Sequence, residues 1–357
     1  MDSRITMLKE LTDAPGLPGY EHEVQKVVRR YLEPYAELET DNLGSIIGKK
    51  SGSSDRPRIM IAGHMDEIGF IVTQVTKEGF IKFIPLGGWW EQVMLAQRVV
   101  VKTAKGDVIG VIGSKPPHLL SADERGKVVQ KKDMFIDIGA KDKEQAEKEF
   151  GVRLGDPIIP VSEFTQMSNE KLVMAKALDC RAGVAIFIDV IKELSTIDHP
   201  NTVYGVGTVQ EEVGLRGAGT SAAVVKPDIC FALDVGIAGD MPGVGESLSA
   251  EKLGNGPTIM LYDTSMVPHL KLRNFVVDLA TELGIPHQFN ALLGGGYDSG
   301  KVHTYDRGVP SLVIALPTRY IHSHTGIIHM DDYAHTVRLL VELIKRLDEK
   351  TVRELLV

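Results

Sequence analysis

The feature that most constrains the fold is a change of pattern in the middle of the chain. On either side of it, apolar residues at helical spacing alternate with short strand-like runs. From about residue 70 to residue 160, only short strand patterns occur, separated by turn signals, at 69–75, 80–84, 98–103 and 108–112. A β-only block inside an alternating βα pattern predicts an α/β domain with an all-β, barrel-like domain inserted into it.

The chain length agrees with this division. A chain of 357 residues is longer than a typical single domain, so one large domain and one smaller domain are expected. We predict that residues 1–69 and 162–357 form the α/β domain and that residues 70–161 form the inserted β domain. The α/β domain should have a mixed sheet with helices on both faces.

Composition excludes several classes of protein. Hydrophobic residues make up 43% of the chain, so a large core can be buried, and no apolar run approaches membrane-spanning length. The net charge of −8 argues against a nucleic-acid or anionic-membrane partner. Two cysteines, Cys180 and Cys230, do not suggest a disulfide scaffold, and the chain begins with an amphipathic segment. We therefore expect a soluble, cytoplasmic protein.

Residues that can ligate metals or titrate follow several of the predicted strands. In open α/β sheets, ligands bind beyond the carboxyl ends of the strands. Five elements bring such residues to this edge: His64 and Asp66 after the strand at 58–62, Glu211 and Glu212 after 202–209, Asp234 after 228–233, His322 and His324 after 311–315, and Asp179 before the helix that starts near residue 181. The coincidence of all five predicts a site there.

Each of these residues also has an ordinary structural explanation when it is taken singly. Asp179 would serve as a helix cap, and Glu211 and Glu212 as a solvated pair. His322 and His324 would be ordinary loop residues. Asp234 is different, because it ends an apolar strand where an unpaired carboxylate is costly. That position favours a partner cation.

The donor atoms in this set are imidazole nitrogens and carboxylate oxygens, with no thiolate required. Such donors suit zinc, cobalt or manganese, and two histidines with three or four carboxylates are enough for two ions. A pair of ions roughly 3.5–4 Å apart activates a bridging water and polarises a carbonyl. A remaining carboxylate can act as general base. Other templates fail, because the chain has neither a His-Glu-x-x-His motif nor a Gly-x-Ser-x-Gly elbow.

At these residues the chain resembles the M42 family of metallo-aminopeptidases. The matching motifs run through essentially the whole chain in the family's order: Ala62-Gly63-His64-Met65-Asp66-Glu67, Gly113-Ser114-Lys115-Pro116-Pro117-His118, Leu178-Asp179-Cys180-Arg181, Val209-Gln210-Glu211-Glu212-Val213-Gly214, Leu233-Asp234-Val235-Gly236, Gly295-Gly296-Tyr297-Asp298 and Arg319-Tyr320-Ile321-His322-Ser323. The resemblance implies a zinc-peptidase-like catalytic domain.

The resemblance also implies a role for each residue of the site. It implies two divalent metal ions bridged by Asp179, with His64 and Asp234 completing one ion's site and Glu212 and His322 the other's. Glu211 would be the general base, and Asp66 would orient His64. His324 is an alternative to His322 as the ligand. Two residues depart from the family: Cys180 replaces the Asn or Asp often found there, and Tyr297 replaces a frequent Thr.

The implied activity is removal of N-terminal residues from short peptides, with the bridging water as nucleophile. The resemblance further implies that the β domain mediates dimerisation, on the way to a tetrahedral dodecamer. The sequence offers one observation in support, because five apolar residues that would form a contact surface cluster in that domain: Trp89, Trp90, Val93, Met94 and Leu95.

Two other functions are considered. A glycoside hydrolase of the endoglucanase type would use paired carboxylates that flank a glycosidic bond. Adjacent Glu211 and Glu212 project differently and do not easily flank one bond, and the histidines would have no role. A catalytically silent peptide-binding protein is also disfavoured, because every ligand position is filled.

Overall fold

The computed structural model describes residues 3–356 and has two structural parts, a mixed eight-stranded sheet flanked by helices and a closed six-stranded barrel. The helices are α1 (Ser3–Asp13), α2 (His22–Leu32), α3 (Ala122–Arg125), α4 (Leu178–Glu193), α5 (Arg216–Val225), α6 (Leu270–Glu282), α7 (Ser299–His303), α8 (Met330–Arg346) and α9 (Glu349–Leu356). The predicted fold class is therefore confirmed.

The strands fall into the large sheet, the barrel and a small three-stranded sheet. Their bounds are β1 (Glu37–Thr40), β2 (Ile46–Ser51), β3 (Arg58–His64), β4 (Gly69–Val75), β5 (Ile81–Leu86), β6 (Arg98–Thr103), β7 (Gly106–Gly113), β8 (Phe135–Asp137), β9 (Pro157–Pro160), β10 (Thr165–Gln166), β11 (Leu172–Ala175), β12 (Thr202–Thr208), β13 (Ile229–Ile237), β14 (Thr258–Tyr262), β15 (Gln288–Ala291), β16 (Ser311–Thr318) and β17 (Gly326–His329).

The large sheet has the strand order β1-β2-β12-β3-β13-β16-β14-β15. Its four central strands, β12, β3, β13 and β16, are parallel to one another. Their carboxyl ends consequently lie at one edge of the sheet. The outer neighbours β2 and β14 run antiparallel to this group.

Helices cover both faces of this sheet, and the residue alternation in β3 shows why. Ile59 and Ile61 point into one apolar core, which also contains the buried residues of α4 and α8. Met60 and Ala62 point into a separate core on the opposite face, with Ala218 of α5. Since successive side chains of a strand face opposite sides, a strand buried on both faces is apolar throughout.

The barrel closes in the order β4-β5-β8-β7-β6-β9 around its own apolar core. Phe70 is fully buried there, with Trp89 stacked on it at a centroid distance of 4.8 Å and Phe83 edge-on at 5.0 Å. Such ring pairs stabilise a core beyond the area that they bury.

This packing corrects one expectation from the sequence. Trp89 and Met94 do not form an apolar surface, because they are 4% and 0% exposed inside the barrel core. Val93 and Leu95 pack against the same core, and only Trp90, at 57%, is largely exposed. Further exposed apolar residues lie on the barrel strands, among them Ile84, Ile109 and Val111.

Several elements agree with the sequence patterns and others do not. The strands predicted at 69–75 and 98–103 have those same bounds in the structure. Helix α5 was not predicted, because its sequence Arg-Gly-Ala-Gly-Thr-Ser-Ala-Ala-Val-Val is poor in large apolar residues. None of the helices formed by residues 3–356 is both long enough and apolar enough to cross a membrane.

Candidate metal centre

The predicted site residues converge at the carboxyl edge of the four parallel strands. His64 is the last residue of β3, and Asp234 lies within β13. Glu211 and Glu212 follow β12, and His322 follows β16. Asp179 lies at the start of α4, where Asp179 and Cys180 have non-helical backbone angles and are joined by a cis peptide bond. The structure therefore brings together the side chains that the strand-end argument singled out, except that of His324.

Asp179 lies between the two imidazoles and offers one carboxylate oxygen to each. His64 Nε2 is 3.1 Å from Asp179 Oδ1, and His322 Nε2 is 3.4 Å from Asp179 Oδ2. The other two carboxylates divide accordingly: Asp234 Oδ1 is 3.9 Å from His64 Nε2, and Glu212 Oε2 is 3.7 Å from His322 Nε2. Two groups of donor atoms thus share one carboxylate.

Both imidazoles are oriented by main-chain carbonyl groups. His64 Nδ1 lies 3.0 Å from the carbonyl oxygen of Asp66, and His322 Nδ1 lies 2.8 Å from that of Gly88. When such an imidazole is neutral, its proton lies on Nδ1, where it is donated to the carbonyl oxygen, and its lone pair lies on Nε2. In each ring it is therefore Nε2 that faces the carboxylates, which is the arrangement of a metal-ligating histidine.

Asp66 acts differently from the expectation. Its nearest carboxylate oxygen is 3.6 Å from His64 Nδ1, farther than its own carbonyl oxygen. Its two carboxylate oxygens instead accept hydrogen bonds from the main-chain N–H groups of Glu211, at 3.0 Å, and Glu212, at 3.1 Å. The side chain of Asp66 therefore fixes the turn that carries the two glutamates, and its main chain orients His64.

A second buried carboxylate, which sequence reasoning missed, supports the same turn. Glu21 is 4% exposed, and its Oε1 accepts hydrogen bonds from the N–H groups of Gly19, at 2.8 Å, and Gln210, at 3.0 Å. Gln210 has a positive φ of 56°, which is unusual for a residue other than glycine. Three consecutive N–H groups, from Gln210 to Glu212, are thus held by Glu21 and Asp66. Nothing in the local sequence around Glu21 points to this contact.

The barrel segment also contributes to the site, through the pair Gly87 and Gly88. A Cβ atom on Gly88 would lie 2.7 Å from His322 Nδ1, and one on Gly87 would lie 3.0 Å from Glu212 Oε2. Only glycine allows the main chain to approach these two side chains so closely. A glycine pair directly after a strand was the available sequence signal.

Burial of several carboxylates together sets the electrostatics of the site. Burial raises the pKa of Glu212 to about 8, with Asp179 as the next cause, and burial also raises the pKa of Asp234 to about 8. Burial opposes protonation of His322, but Asp179 and Glu212 outweigh it and raise the pKa of His322 to about 10. The residues therefore carry more negative charge than they can neutralise among themselves, so carboxylates retain protons.

These observations fit a metal centre. The donor atoms of His64, Asp179 and Glu212 all lie within 4.8 Å of one another, and the Nε2 atoms of His64 and His322 each face a carboxylate oxygen of Asp179. A divalent cation would supply the positive charge that the carboxylates lack, and would release their protons. Imidazole nitrogen and carboxylate oxygen are ligands that zinc, cobalt and manganese accept.

Cys180 belongs to the surroundings of the site and acts there as a hydrogen-bond donor. Its Sγ lies near His64 and Asp234, but it donates a hydrogen bond to the carbonyl oxygen of Leu233 at 3.0 Å. Burial, followed by the charge of Asp234, raises the pKa of the Cys180 thiol well above its ordinary value. The thiol therefore stays protonated.

His324, the alternative imidazole, faces away from these carboxylates. Its ring is 5% exposed and contacts Trp89 edge-on, with the ring centroids 5.1 Å apart. Within the described chain, neither ring nitrogen has a hydrogen-bond partner, and burial lowers the pKa of His324 to about 4. The geometry favours His322 as the ligand.

A cavity of about 670 Å³ opens directly onto this cluster. Its lining includes Asp179, Glu211, Glu212, Asp234 and His322. The volume falls within the range of small-ligand pockets. The edge of the sheet thus combines a cation-binding set with room for an organic substrate.

Comparison with known proteins agrees with this geometry. The profile of the M42 glutamyl aminopeptidase family matches residues 44–339. The chain is 40% identical to the putative aminopeptidase FrvX of Escherichia coli, over 94% of this chain and 93% of that protein. It is 35% identical to the glutamyl aminopeptidase of Lactococcus lactis, over 98% of both chains.

Solved structures show the same fold. The TET aminopeptidase of the archaeon Thaumarchaeota archaeon SCGC AB-539-E09 is 50% identical, with a TM-score of 0.97 over 99% of both chains. The TET1 peptidase of Pyrococcus horikoshii, described as assembling into a tetrahedron or a large octahedral shell, is 33% identical, with a TM-score of 0.85 over 97% of this chain and 100% of that one. A Thermotoga maritima protein called an endoglucanase is 31% identical, with a TM-score of 0.78 over 98% of this chain and 99% of that one.

Proposed function

The chain belongs to the M42 family of aminopeptidases, and from that premise we propose that it removes N-terminal residues from short peptides with two divalent metal ions. The observation that supports two ions is the position of Asp179, whose two oxygens face two separate groups of donors. His64 and Asp234 would hold one ion with Asp179, and His322 and Glu212 would hold the other. The ions would be zinc, cobalt or manganese.

The bound ions would polarise the scissile carbonyl and supply a nucleophilic water at neutral pH. Glu211 would act as general base. It would take a proton from the attacking water as the C–O bond forms, and return it to the leaving amine as the C–N bond breaks. Burial raises the pKa of Glu211 well above its ordinary value, with Asp234 among the further causes, which suits a carboxylate that must hold a proton between the two steps.

The protein supports Glu211 through the turn described above. Asp66 would fix the position of Glu211 by accepting its N–H, and Glu21 would fix the preceding residue. Glu211 lines the cavity and is 8% exposed, so little bulk water reaches its carboxylate. A held carboxylate loses less freedom when it meets the substrate.

The activity can be tested with one synthetic peptide of five residues in two forms, one with a free and one with an acetylated N-terminus. We expect stepwise loss of residues from the free form, followed by mass spectrometry, because an aminopeptidase needs the free amine. The acetylated peptide and a chelator-treated sample should show no loss. Internal cleavage, or equal cleavage of both peptides, would exclude this function.

The endoglucanase alternative has no geometric support. Glu211 and Glu212 are adjacent, and both are tied into one turn by Asp66. Two carboxylates that flank a glycosidic bond must instead lie on opposite sides of a sugar, about 5 Å or more apart. The name endoglucanase describes the Thermotoga maritima protein and is not evidence for the activity of this chain.

We also propose that residues 70–161 form a separate domain, that this domain mediates assembly, and that the enzyme forms dimers that build a closed tetrahedral dodecamer. The separate apolar core of the barrel supports the division. The barrel's exposed apolar residues, Ile84, Ile109 and Val111, support a contact surface. The Pyrococcus horikoshii relative, which assembles into closed shells, agrees with this proposal.

Excision of the barrel tests the division and the assembly together. Replacing residues 70–161 by a short Gly-Ser linker should leave an α/β domain that unfolds cooperatively. Its mass by light scattering should correspond to fewer subunits than in the full-length protein. Mass is the readout because the excision also removes Gly88, which orients His322. A milder variant, Ile109→Asp, changes one exposed residue and should also lower the mass, whereas Ile109→Val should not. An unchanged oligomer after excision would contradict the assembly role, and an unfolded remainder would contradict the division.

A further inference from the structure

The cavity beside the candidate metal centre has an apolar wall in addition to its metal-binding residues. Six apolar side chains line it: Leu215, Val235, Ile237, Leu292, Tyr297 and Ile321. Apart from the charged residues of the candidate metal centre, the remaining lining consists of Gly88, Gly214, the glycines at 294–296 and the uncharged side chains of Thr264 and Ser265. A substrate side chain that enters here meets hydrocarbon and a few hydroxyl groups.

Few of the side chains that line this cavity carry charge. Within the described part of the chain, its ionisable lining residues are those of the candidate metal centre and Tyr297. Two charged neighbours are directed elsewhere. Arg319 is paired with both carboxylate oxygens of Asp240. Asp263, which is not among the lining residues, is 1% exposed, and its Oδ1 accepts hydrogen bonds from the N–H and the hydroxyl of Ser265. The apolar wall therefore offers no countercharge to a ligand.

Tyr297 presents its ring rather than a free hydroxyl group. Its Oη donates a hydrogen bond to the carbonyl oxygen of Val235 at 3.1 Å, and the residue is 6% exposed. Since that hydroxyl is already engaged within the protein, it does not serve as a specificity contact for a charged group. Val235 follows Asp234 directly, so the ring and the candidate metal ligands are part of one continuous surface.

Resting on the proposed function, we propose that this wall receives the N-terminal side chain of the substrate, and that the enzyme prefers peptides whose N-terminal residue is uncharged and apolar. A carboxylate or ammonium group in this pocket would lose its hydration without gaining a partner, which is costly. An apolar side chain would gain from burial in proportion to its area. Glutamyl and lysyl peptides should therefore be poor substrates, although one relative is a glutamyl aminopeptidase.

A panel of aminoacyl-4-nitroanilides tests this preference with the metal-loaded, full-length enzyme. For the leucyl and methionyl substrates we expect kcat/KM at least about 100-fold above that for the glutamyl and lysyl substrates. If the glutamyl or the lysyl substrate were the best one, the inference would be wrong while the aminopeptidase function stood. Hydrolysis of none of the four would instead contradict the proposed function.

A variant of Ile237 tests whether this wall sets the preference. Ile237 is 40% exposed, so a lysine is tolerated there, and it is neither a candidate ligand nor the candidate base. Ile237→Lys should raise the ratio of glutamyl to leucyl kcat/KM by about 10-fold or more, because it supplies the missing countercharge. The matched control, Ile237→Met, should leave the ratio within about twofold. An unchanged ratio in Ile237→Lys would overturn the assignment of this wall to the N-terminal side chain.

Discussion

Asp179→Ala protein should bind neither metal ion at full strength and should lose peptide hydrolysis by at least about three orders of magnitude. The reason is that Asp179 offers one carboxylate oxygen to each imidazole, at 3.1 Å from His64 and 3.4 Å from His322. Removing a side chain that serves one ion alone would leave the other ion's donors intact. Removing Asp179 disrupts both sets. Metal analysis after dialysis, together with the peptide assay, measures the two effects on one sample.

The matched control for this variant is Asp298→Asn. Asp298 is also a buried carboxylate near the site, at 2% exposure, but its hydrogen bond is to the hydroxyl of Thr208. Burial raises the pKa of Asp298 to about 6, and Asp298 is not one of the proposed ligands. This variant should keep both metal equivalents. Two full equivalents in Asp179→Ala would refute the bridging assignment.

Glu211→Gln should separate metal binding from catalysis. The amide has nearly the same shape as the carboxylate but cannot accept a proton from water, so turnover should fall by about two to four orders of magnitude. Metal content should stay near that of the unaltered enzyme, because Glu211 is not one of the proposed ligands. KM should change little, since the substitution removes a group that acts mainly in the transition state.

Glu212→Gln is the matched comparison, because the two glutamates are neighbours in one turn. Glu212 Oε2 lies 3.7 Å from His322 Nε2, whereas Glu211 Oε2 lies 3.9 Å from His64 Nε2. Because Glu212 is a proposed metal ligand and Glu211 is not, Glu212→Gln should lower metal content along with activity. If Glu211→Gln lost metal and Glu212→Gln kept it, the roles of the two residues would be reversed.

The strand-end residues were predictable because their positions depend on local pattern and one rule of sheet topology. His64, Asp234 and the Glu211-Glu212 pair each follow an apolar run, and parallel strands bring such positions to one edge. The strand patterns of the barrel were equally local. For Asp179 the sequence pattern indicated only a position before a helix, and an aspartate that merely caps a helix has the same position.

The contacts that orient these residues were not predictable, because they join distant parts of the chain. Glu21 reaches Gln210 across 189 positions, and Gly88 reaches His322 across 234. Trp89 was misjudged for a related reason, since its burial depends on stacking against Phe70 inside a closed barrel. A sequence pattern gives the faces of an element but not which side chain of another element lies against it.

One chain should bind two divalent ions, and peptide hydrolysis should depend on them. The most direct measurement is to remove metal with a chelator and then add zinc, cobalt or manganese in steps. Bound metal and leucyl-4-nitroanilide hydrolysis are followed together. We expect no hydrolysis without metal. Bound metal should saturate at two equivalents per chain, and activity should recover as the sites fill. Full hydrolysis by the metal-free protein, or saturation at a single equivalent, would contradict this expectation.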